Sequence, residues 1–456
     1  MVITDTIAAI ATPYGQGAIG VIRLSGKDAF SIVKEHFKPA KGSFEPKLVK
    51  GYTLRYGEWW YQGELIDEVL ISFFVQPHSY TGEDVVEISC HGSPYILNRT
   101  LESCLDTGAR LAEPGEFTLR AFRNGKMDLG QAEAVADLIA SESKAAHQVA
   151  MHQLKGHFSR ELEQMRSQLI EFTGLLELEL DFAEEDVEFA DRSRFFELLD
   201  RIKERLRSLI ESFSLGNAIK NGVPVAILGA PNAGKSTLLN ALLGEEKAIV
   251  SHIPGTTRDV IEDVITIDGI QFRFIDTAGL RKTSDEIEEI GIRRALERAS
   301  KARIILYVFD VHASLQSEVQ ATYDLIKEHA PEATILKLGN KADLVQKVES
   351  LGDDILFISA KEKVGIDVLK KALVKEIFHE KRIDNQVIIT NVRHLDALKK
   401  SLTALEEAER GLRTGLSGEL VAIDLRQALY HMGSITGQVV ADDILGYIFA
   451  NFCIGK

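Results

Sequence analysis

The 456-residue sequence has few cysteines, no long apolar run and no excess of positive charge. Its three cysteines, Cys90, Cys104 and Cys453, cannot build a disulfide framework, and this usage fits a reducing, cytoplasmic compartment. No run of about 18 apolar residues occurs, so the sequence predicts no transmembrane helix. The first residues lack a basic segment followed by an apolar one, so we expect no secretory signal.

The charge balance is acidic. Lysine and arginine number 53 against 68 aspartates and glutamates, which gives a formal net charge of −15. Proteins that coat nucleic acid through bulk charge usually carry the opposite balance. The acidity therefore argues against non-specific nucleic-acid binding, although a local basic patch can still bind RNA. The composition, with 45% hydrophobic and 27% charged residues, predicts a globular protein, and the length predicts roughly three domains of about 150 residues each.

The apolar patterns predict a multidomain protein that combines α/β and all-α parts. Strands are predicted over residues 6–11, 19–24, 69–75 and 84–90, followed by a helix over 95–105, within an N-terminal α/β domain spanning 1–118. Long helical patterns then begin at a capping box formed by Asp128 and Gln131.

Between two helical regions, the pattern changes to short apolar runs that alternate with helices. These runs, over residues 223–228, 272–275, 304–309, 334–338 and 355–358, are typical of buried parallel strands. We therefore predict an α/β domain over 217–379, inserted into a discontinuous helical domain over 119–216 and 380–456. The leucines of that last segment, Leu395, Leu398, Leu402 and Leu405, line one helix face.

The strongest motif lies at the first of these runs. Residues 229–236 read Gly-Ala-Pro-Asn-Ala-Gly-Lys-Ser and match the phosphate-loop pattern G-x-x-x-x-G-K-[ST] between a predicted strand and helix. The glycines let backbone N–H groups point at phosphate oxygens, and the helix N-terminus adds partial positive charge. We expect Lys235 to reach the β- and γ-phosphates and the Ser236 hydroxyl to bind Mg²⁺.

Three further motifs follow in the order found in guanine-nucleotide-binding proteins. The Asp-Thr-Ala-Gly motif at 276–279 is expected to face Mg²⁺ and the γ-phosphate. In Asn-Lys-Ala-Asp at 340–343, the Asp343 carboxylate can accept from two N–H donors that guanine has and adenine lacks, which selects GTP over ATP. Ser-Ala-Lys at 359–361 would place a backbone N–H at the guanine oxygen. The residues predicted to contact GTP are Asn232, Ala233, Gly234, Lys235, Ser236, Thr237, Ser251, His252, Ile253, Pro254, Gly255, Thr256, Thr257, Asp276, Thr277, Ala278, Gly279, Asn340, Lys341, Asp343, Ser359, Ala360 and Lys361.

The residues for hydrolysis differ from those of Ras-like proteins. Thr257 in the first switch is the predicted second Mg²⁺ ligand, but Leu280 stands where Ras-like proteins carry a water-orienting glutamine. A monovalent cation held by the Asn232 carbonyl oxygen could supply positive charge. A carboxylate from residues 285–289 could position water, the alternative being that this acidic segment is a solvated helix start. Arg258 is either an arginine finger or a structural residue of the loop.

Four further stretches resemble a known family over essentially the whole chain. They are Asp-Thr-Ile-Ala-Ala at 5–9, Thr-Gly-Glu-Asp-Val-Val-Glu at 81–87, Pro-Gly-Glu-Phe-Thr-Leu-Arg-Ala-Phe at 114–122, and the terminal Cys-Ile-Gly-Lys. Together with the inserted GTPase domain, they resemble the bacterial and organellar tRNA modification GTPases that install carboxymethylaminomethyl-type groups at C5 of the wobble uridine, U34.

The resemblance implies a second site in the N-terminal domain. There the family dimerises and binds a tetrahydrofolate one-carbon donor of 5-formyl or methylene type, and the matching residues are Arg23, Glu87, Lys126 and Lys456. The alternative from the residues alone is that Arg23 and Glu87 are sheet-surface charges.

Roles in hydrolysis and modification are also implied by the resemblance. K⁺ would be held by Asn232, Ser251, Ile253 and Thr256, and would drive dimerisation of the GTPase domains. Glu288 would position water, and Cys453 would take part in the modification reaction, the alternative being an inert thiol. A flavin- and NADH-dependent partner protein would carry the FAD.

Two rival readings belong to other classes. A ribosome-assembly GTPase that acts as a binding switch would share the phosphate loop and Leu280, but such proteins usually append an RNA-binding module with a basic face. A membrane-remodelling GTPase is disfavoured because the sequence has no evident basic amphipathic helix.

Overall fold

The computed structural model describes residues 5–181, 192–245, 263–275, 300–344, 354–378, 387–439, 442–450 and 452–455. The chain divides into two compact units. The first comprises Met1–Ile139, His152–Ile202 and Lys400–Lys456, and the second comprises Ala140–Met151 and Lys203–Lys399. Within the described residues, no helix is long and apolar enough to span a membrane.

The first unit contains a seven-stranded sheet in the order β3-β4-β5-β6-β2-β1-β7. Its strands are β1 (Ile7–Ile10), β2 (Ile19–Ser25), β3 (Phe37–Pro39), β4 (Thr53–Tyr61), β5 (Glu64–Phe74), β6 (Val85–His91) and β7 (Arg110–Leu111). Neighbouring strands are antiparallel except for β1 and β7. The four strands predicted from sequence in this region are confirmed, with shifted ends.

Strand β4 was not predicted from the sequence. Its burial alternates, but Leu54 and Tyr56 lie on the exposed side of the alternation and Gly57 on the buried side, so no apolar period of two is visible. It joins β5 through a tight turn at Gln62 and Gly63, whose φ angles of 52° and 83° are those of a two-residue hairpin.

The two faces of this sheet carry different helices. Helices α1 (Ala29–His36) and α2 (Pro94–Asp106) share a buried core with Ile22 and Leu24 of β2. Helix α3 (Glu116–Arg123) buries Phe117 against β1 residues of the opposite face. Arg23, which lies between Ile22 and Leu24 in the strand, therefore points to the α3 side.

The helices before and after the inserted α/β part are α4 (Leu129–Ile139), α5 (Lys144–Leu154), α6 (His157–Asp181), α7 (Arg192–Asn221), α11 (Val392–Arg413), α12 (Gly418–Thr436) and α13 (Asp442–Ala450). The predicted start of α4 is confirmed as a reciprocal capping box. The Gln131 N–H donates to Asp128 Oδ1 at 2.9 Å, and the Asp128 N–H donates to Gln131 Oε1 at 3.0 Å.

The second unit contains a six-stranded sheet in the order β13-β12-β11-β8-β10-β9. Its strands are β8 (Val223–Leu228), β9 (Asp263–Ile267), β10 (Ile270–Phe274), β11 (Ile304–Asp310), β12 (Thr334–Asn340) and β13 (Ile355–Phe357). The five predicted strands are confirmed as a parallel set, and β9, which was not predicted, adds an antiparallel edge.

Helices cover both faces of this sheet. Helices α8 (Lys235–Glu245) and α10 (Ile366–Phe378) pack on the face that holds Val225 and Leu306, whereas α9 (Gln316–His329) packs on the face that holds Ile305. The predicted combination of an N-terminal α/β part, a helical part and a Ras-like α/β part is confirmed. In such sheets, ligands bind beyond the carboxyl ends of the strands.

Candidate functional site

The phosphate loop lies between the carboxyl end of β8 and the first turn of α8. Gly229 has φ 149°, and a Cβ at this position would overlap the carbonyl oxygen of Val308 on β11. Gly234 has φ 96°, and a Cβ there would overlap the side-chain amide of Asn340. The loop can therefore take this path only because both positions are glycines.

The lysine of the motif lies across the loop. Lys235 Nζ donates to the carbonyl oxygens of Gly229 and Ala230, each at 2.8 Å. The ammonium thus lies against carbonyl groups at the start of the loop. These residues fit a nucleotide triphosphate with Mg²⁺: the loop and Lys235 would hold the phosphates, and the Ser236 hydroxyl at the helix start would reach the metal.

Asn340 joins the three motifs that the sequence separates. Its side chain is buried, its Nδ2 donates to the carbonyl of Ala233 at 2.8 Å, and its Oδ1 accepts from the N–H of Ala360 at 3.0 Å. Both ends of the amide are thus used in tying the phosphate loop to the two base-side loops. The motif indicated a nucleotide contact, but the bridge could not be read from the sequence.

The base-side loops leave Asp343 exposed. Lys341, with φ 64°, donates to Asp310 Oδ2 at 2.6 Å. Burial would raise the pKa of Asp310, but this hydrogen bond from Lys341 leads the interactions that lower it overall. Asp343 lies on the short turn Ala342–Leu344 and is open to solvent, as binding a base requires.

The third motif is shaped by a backbone pair. Ser359 and Val364 exchange both backbone hydrogen bonds, at 3.0 and 3.1 Å, and Ser359 Oγ accepts from the N–H of Glu362 at 3.2 Å. The side chain of Lys361 projects outward and is 82% exposed. This small closed loop presents the Ala360 segment beside Asn340.

Several predicted site residues lie outside the described residues. They are Ser251, His252, Ile253, Pro254, Gly255, Thr256, Thr257, Asp276, Thr277, Ala278, Gly279, Glu288 and Lys456. Arg258 and Leu280 also lie there. Among the predicted K⁺ ligands, the structure therefore describes Asn232, which is exposed in the loop and has a left-handed φ of 60°.

A second group of predicted residues meets in the first unit. Arg23 on β2 and Glu87 on β6 are cross-strand partners, and the guanidinium binds Glu87 Oε1 through Nη2 at 2.8 Å and Nε at 2.9 Å. The rings of Tyr80 and Phe117 both lie 5.6 Å from the guanidinium carbon. The pair is partly buried, with 18% of the Arg23 side chain and 30% of the Glu87 side chain exposed.

The C-terminal segment lies against this pair. Arg23 Nη1 donates to the carbonyl of Gly455 at 3.1 Å, and the Gly115 N–H donates to the carbonyl of Cys453 at 3.3 Å. Cys453 is exposed, whereas Cys90 and Cys104 are buried, and burial raises the pKa of each of those two thiols to about 12. The exposed cysteine thus belongs to a segment whose backbone is held at Gly115 and Arg23.

Lys126 is anchored on the loop that borders the same site. Its Nζ donates to the carbonyl of Pro77 at 2.9 Å, and its methylene groups lie 3.4 Å from where a Cβ of Gly82 would be. Tyr80, which packs against Arg23, belongs to the same loop. The structure thus places Lys126 and Arg23 in contact with the same loop.

A buried charge cluster near this site was missed by the sequence analysis. Arg120 is 1% exposed and binds Asp5 Oδ1 at 2.8 Å, Glu116 Oε1 at 3.0 Å and Glu83 Oε2 at 3.2 Å. Arg110 Nη2 also binds Glu116 Oε1, at 2.5 Å. The spacing of Glu116 and Arg120, four residues apart on α3, was the available signal.

The fold and the first site define a P-loop GTPase with an N-terminal α/β part and a helical part. Two family models match the sequence, described as the MnmE helical domain over residues 129–453 and the GTP-binding protein TrmE N-terminus over residues 6–126.

Individual proteins match as well. The FeoB G-domain from Methanococcus jannaschii is 28% identical with a TM-score of 0.26, covering 34% of this chain and 97% of its own. The tRNA modification GTPase MnmE of Flavobacterium johnsoniae is 51% identical and covers 100% of both chains, and that of Cytophaga hutchinsonii is 51% identical over 99% of this chain and 98% of its own. The chain belongs to the MnmE family of tRNA modification GTPases. It is a GTP hydrolase of tRNA modification that binds GTP and Mg²⁺.

Proposed function

We propose that this protein is a K⁺-dependent GTPase that controls a folate-dependent complex, and that the complex modifies C5 of the wobble uridine U34 with a carboxymethylaminomethyl-type group. The observation that carries the proposal is the Arg23–Glu87 pair, whose guanidinium has two aromatic rings within 5.6 Å and binds a backbone carbonyl of the segment that bears Cys453. A guanidinium, a carboxylate and two aromatic rings suit a ligand with an anionic tail and a flat polar ring.

The folate derivative fits this group by charge and shape. A tetrahydrofolate, of 5-formyl or methylene type, has a glutamate tail that needs cations and a pterin that needs a carboxylate acceptor and apolar contact. Arg23 and Lys126 would supply the cations, together with Lys456, and Glu87 would accept from the pterin. The group carries the one-carbon unit, and the protein binds and orients it. Cys453 belongs to the same compact unit as Arg23 and Glu87.

The GTPase part is proposed to use a monovalent cation in place of an arginine finger. Asn232 is exposed within the phosphate loop and has a left-handed backbone, so its side-chain carbonyl oxygen is available to a cation next to the phosphates. Ser251, Ile253 and Thr256 would complete the K⁺ site, Thr257 would join Ser236 on Mg²⁺, and Glu288 would position the attacking water. A preorganised positive charge at that place stabilises the charge that develops on the phosphate oxygens.

The proposed architecture has an N-terminal domain over 1–118, a helical domain over 119–216 and 380–456, and an inserted GTPase domain over 217–379. We propose that the protein works in the cytoplasm as a homodimer and with a flavoprotein partner that carries FAD and uses NADH. The homodimer would bring two GTPase domains together across K⁺-loaded nucleotide faces.

The test is nucleoside analysis of tRNA from a strain that lacks the gene, complemented with wild-type or Cys453→Ser protein. Wild-type protein should restore the modified wobble uridine, and Cys453→Ser should not, while its GTP hydrolysis stays intact. Normal modified uridine in the deletion strain would refute the proposal, and defective ribosome profiles with normal tRNA would favour the ribosome-assembly alternative.

A further inference from the structure

The segment that runs through α5 into the first turn of α6 is unusually basic for this chain. Residues 144–160 contain two lysines, one arginine and three histidines, and no aspartate or glutamate. The whole chain, by contrast, carries a net charge of −15. Residues 152–160, which belong to the first unit, form the basic turn.

The basic turn is fixed rather than loose. Gly156 takes a left-handed φ of 71° between the end of α5 and the start of α6. Gln131 of α4, whose own backbone is held by the capping box, donates from Nε2 to the carbonyl of Leu154 at 2.9 Å. Lys155, His157 and Arg160 are exposed on this anchored backbone.

The cationic side chains are also oriented by one another. Arg160 Nη1 donates to the carbonyl of Lys155 at 2.9 Å, and Arg160 Nη2 lies 3.0 Å from His157 Nδ1. Because a guanidinium only donates, Nδ1 accepts, and the proton of the neutral ring is on Nε2. The His157 ring stacks on His152 with centroids 4.1 Å apart. The turn therefore presents N–H donors from all three exposed residues.

The cations of the turn are not ion-paired in the part of the chain that the structure describes. Neither Lys155 nor Arg160 forms an ion pair there. Burial lowers the pKa of His152, and the neighbouring His157, Lys155 and Arg160 lower it further. Lys155 and Arg160 both bring positive charge to the turn, so a bound anion would relieve the repulsion between them.

We propose that the basic turn, through Lys155, His157 and Arg160, binds backbone phosphates of the tRNA substrate. The inference rests on the family's action on tRNA and not on the proposed folate, K⁺ or U34 chemistry. Because the chain as a whole is acidic, RNA contact must come from a local cluster. Exposed donors spread along a turn suit successive phosphates of a nucleic-acid backbone, whereas a free nucleotide would need an enclosing pocket.

The test measures affinity for an unmodified tRNA transcript by fluorescence anisotropy, with the full chain and over a series of salt concentrations. We compare Lys155→Glu/Arg160→Glu with the control Lys41→Glu/Lys47→Glu, which changes net charge equally at exposed positions of the same unit. We expect the first variant to bind about tenfold more weakly and to lose about 2 from the slope of log affinity against log salt, since each phosphate contact contributes about 0.9. The control should stay within about twofold of wild type.

A milder variant guards against misfolding. Lys155→Gln/Arg160→Gln should weaken tRNA binding in the same direction, and GTP hydrolysis without tRNA should match wild type in all variants. Equal weakening in the control, or unchanged tRNA affinity in both basic-turn variants, would overturn the proposal. Unchanged tRNA affinity together with lost association with the flavoprotein would assign the turn to an acidic protein surface instead.

Discussion

The guanidinium of Arg23 donates a hydrogen bond to the backbone carbonyl of Gly455, 432 residues later in the chain, at 3.1 Å. The same guanidinium binds the Glu87 carboxylate through two other nitrogens. One side chain therefore connects the candidate ligand site on the sheet with the segment that holds the exposed Cys453 thiol. A ligand that binds Arg23 would therefore affect the position of the C-terminal segment.

This double contact predicts that Arg23→Lys and Glu87→Gln differ. Lysine keeps the charge but lacks the planar fork, so Arg23→Lys should weaken binding of 5-formyltetrahydrofolate and also speed hydrogen exchange in the C-terminal peptide. Glu87→Gln leaves the Arg23–Gly455 hydrogen bond in place, so it should weaken folate binding while tail exchange stays near wild type. Calorimetry and mass-detected hydrogen exchange measure the two effects. Identical exchange in both variants would show that Arg23 does not hold the tail.

The phosphate loop predicts a position where one added methyl group weakens nucleotide binding. In Gly234→Ala the new Cβ would overlap Asn340, which must then release Ala233 or Ala360, and alanine resists the left-handed backbone. We expect GTP affinity to fall by at least about tenfold, or about 1.4 kcal/mol. Gly244→Ala is the control, because it lies in the helix that follows the loop and nothing lies within 4 Å of its Cβ, and it should bind GTP normally. Comparable losses in both would contradict this role of Asn340.

The exposed carboxylate of Asp343 predicts a change of base preference. Asp343→Asn preserves shape but replaces one acceptor by a donor, so it should weaken GTP binding by about 10- to 100-fold and improve xanthosine triphosphate binding. Competition with a fluorescent guanine nucleotide measures both effects. Asp367→Asn, an exposed aspartate in the first turn of α10, controls for the charge change. An unaltered ratio of the two nucleotides would exclude Asp343 from base recognition.

The cation proposal predicts that GTP turnover depends on K⁺ through Asn232. Replacing K⁺ by Na⁺ should strongly reduce hydrolysis by wild-type protein. Asn232→Gly keeps the left-handed backbone but removes the side-chain oxygen, so it should bind GTP and hydrolyse it slowly in either salt. Steady-state phosphate release measures these rates, with nucleotide affinity determined separately. Equal wild-type rates in K⁺ and Na⁺ would sink the cation mechanism.

The sequence predicted the parallel strands and the phosphate and base motifs that follow them. These features are predictable because each depends on a short stretch of neighbouring residues. It could not predict the Asn340 bridge, since that contact joins loops 107 residues apart. The hydrogen bond between Arg23 and Gly455 could not be predicted for the same reason. Strand β4 was missed because a sheet face with exposed apolar residues has no clear alternation. Contacts between residues far apart in the sequence, and strands with apolar residues on their exposed face, thus limited what the sequence could predict.

The buried cluster around Arg120 predicts a strong loss of stability on removal of its cation. Arg120→Met leaves Asp5, Glu83 and Glu116 without that partner, which should cost about 3–5 kcal/mol of unfolding free energy. Arg123→Met, on the same helix but exposed, should change it by only about 0.5 kcal/mol. Urea unfolding at neutral pH measures the difference, and similar costs for both variants would contradict a structural role for the cluster.

The same cluster predicts how stability depends on acid. Burial would raise the pKa of Glu116, but hydrogen bonds led by that of Arg110 hold it below its ordinary value of 4.5. The native carboxylate therefore contributes stability that is complete above about pH 4.5 and is lost as the pH falls through the lower native pKa. Glu116→Gln should be less stable than wild type at pH 7 and lose less on acidification, so that the two unfolding free energies converge as the pH falls below 4.5. Parallel curves over this range would mean that Glu116 is not ionised against Arg110 and Arg120 in the native protein.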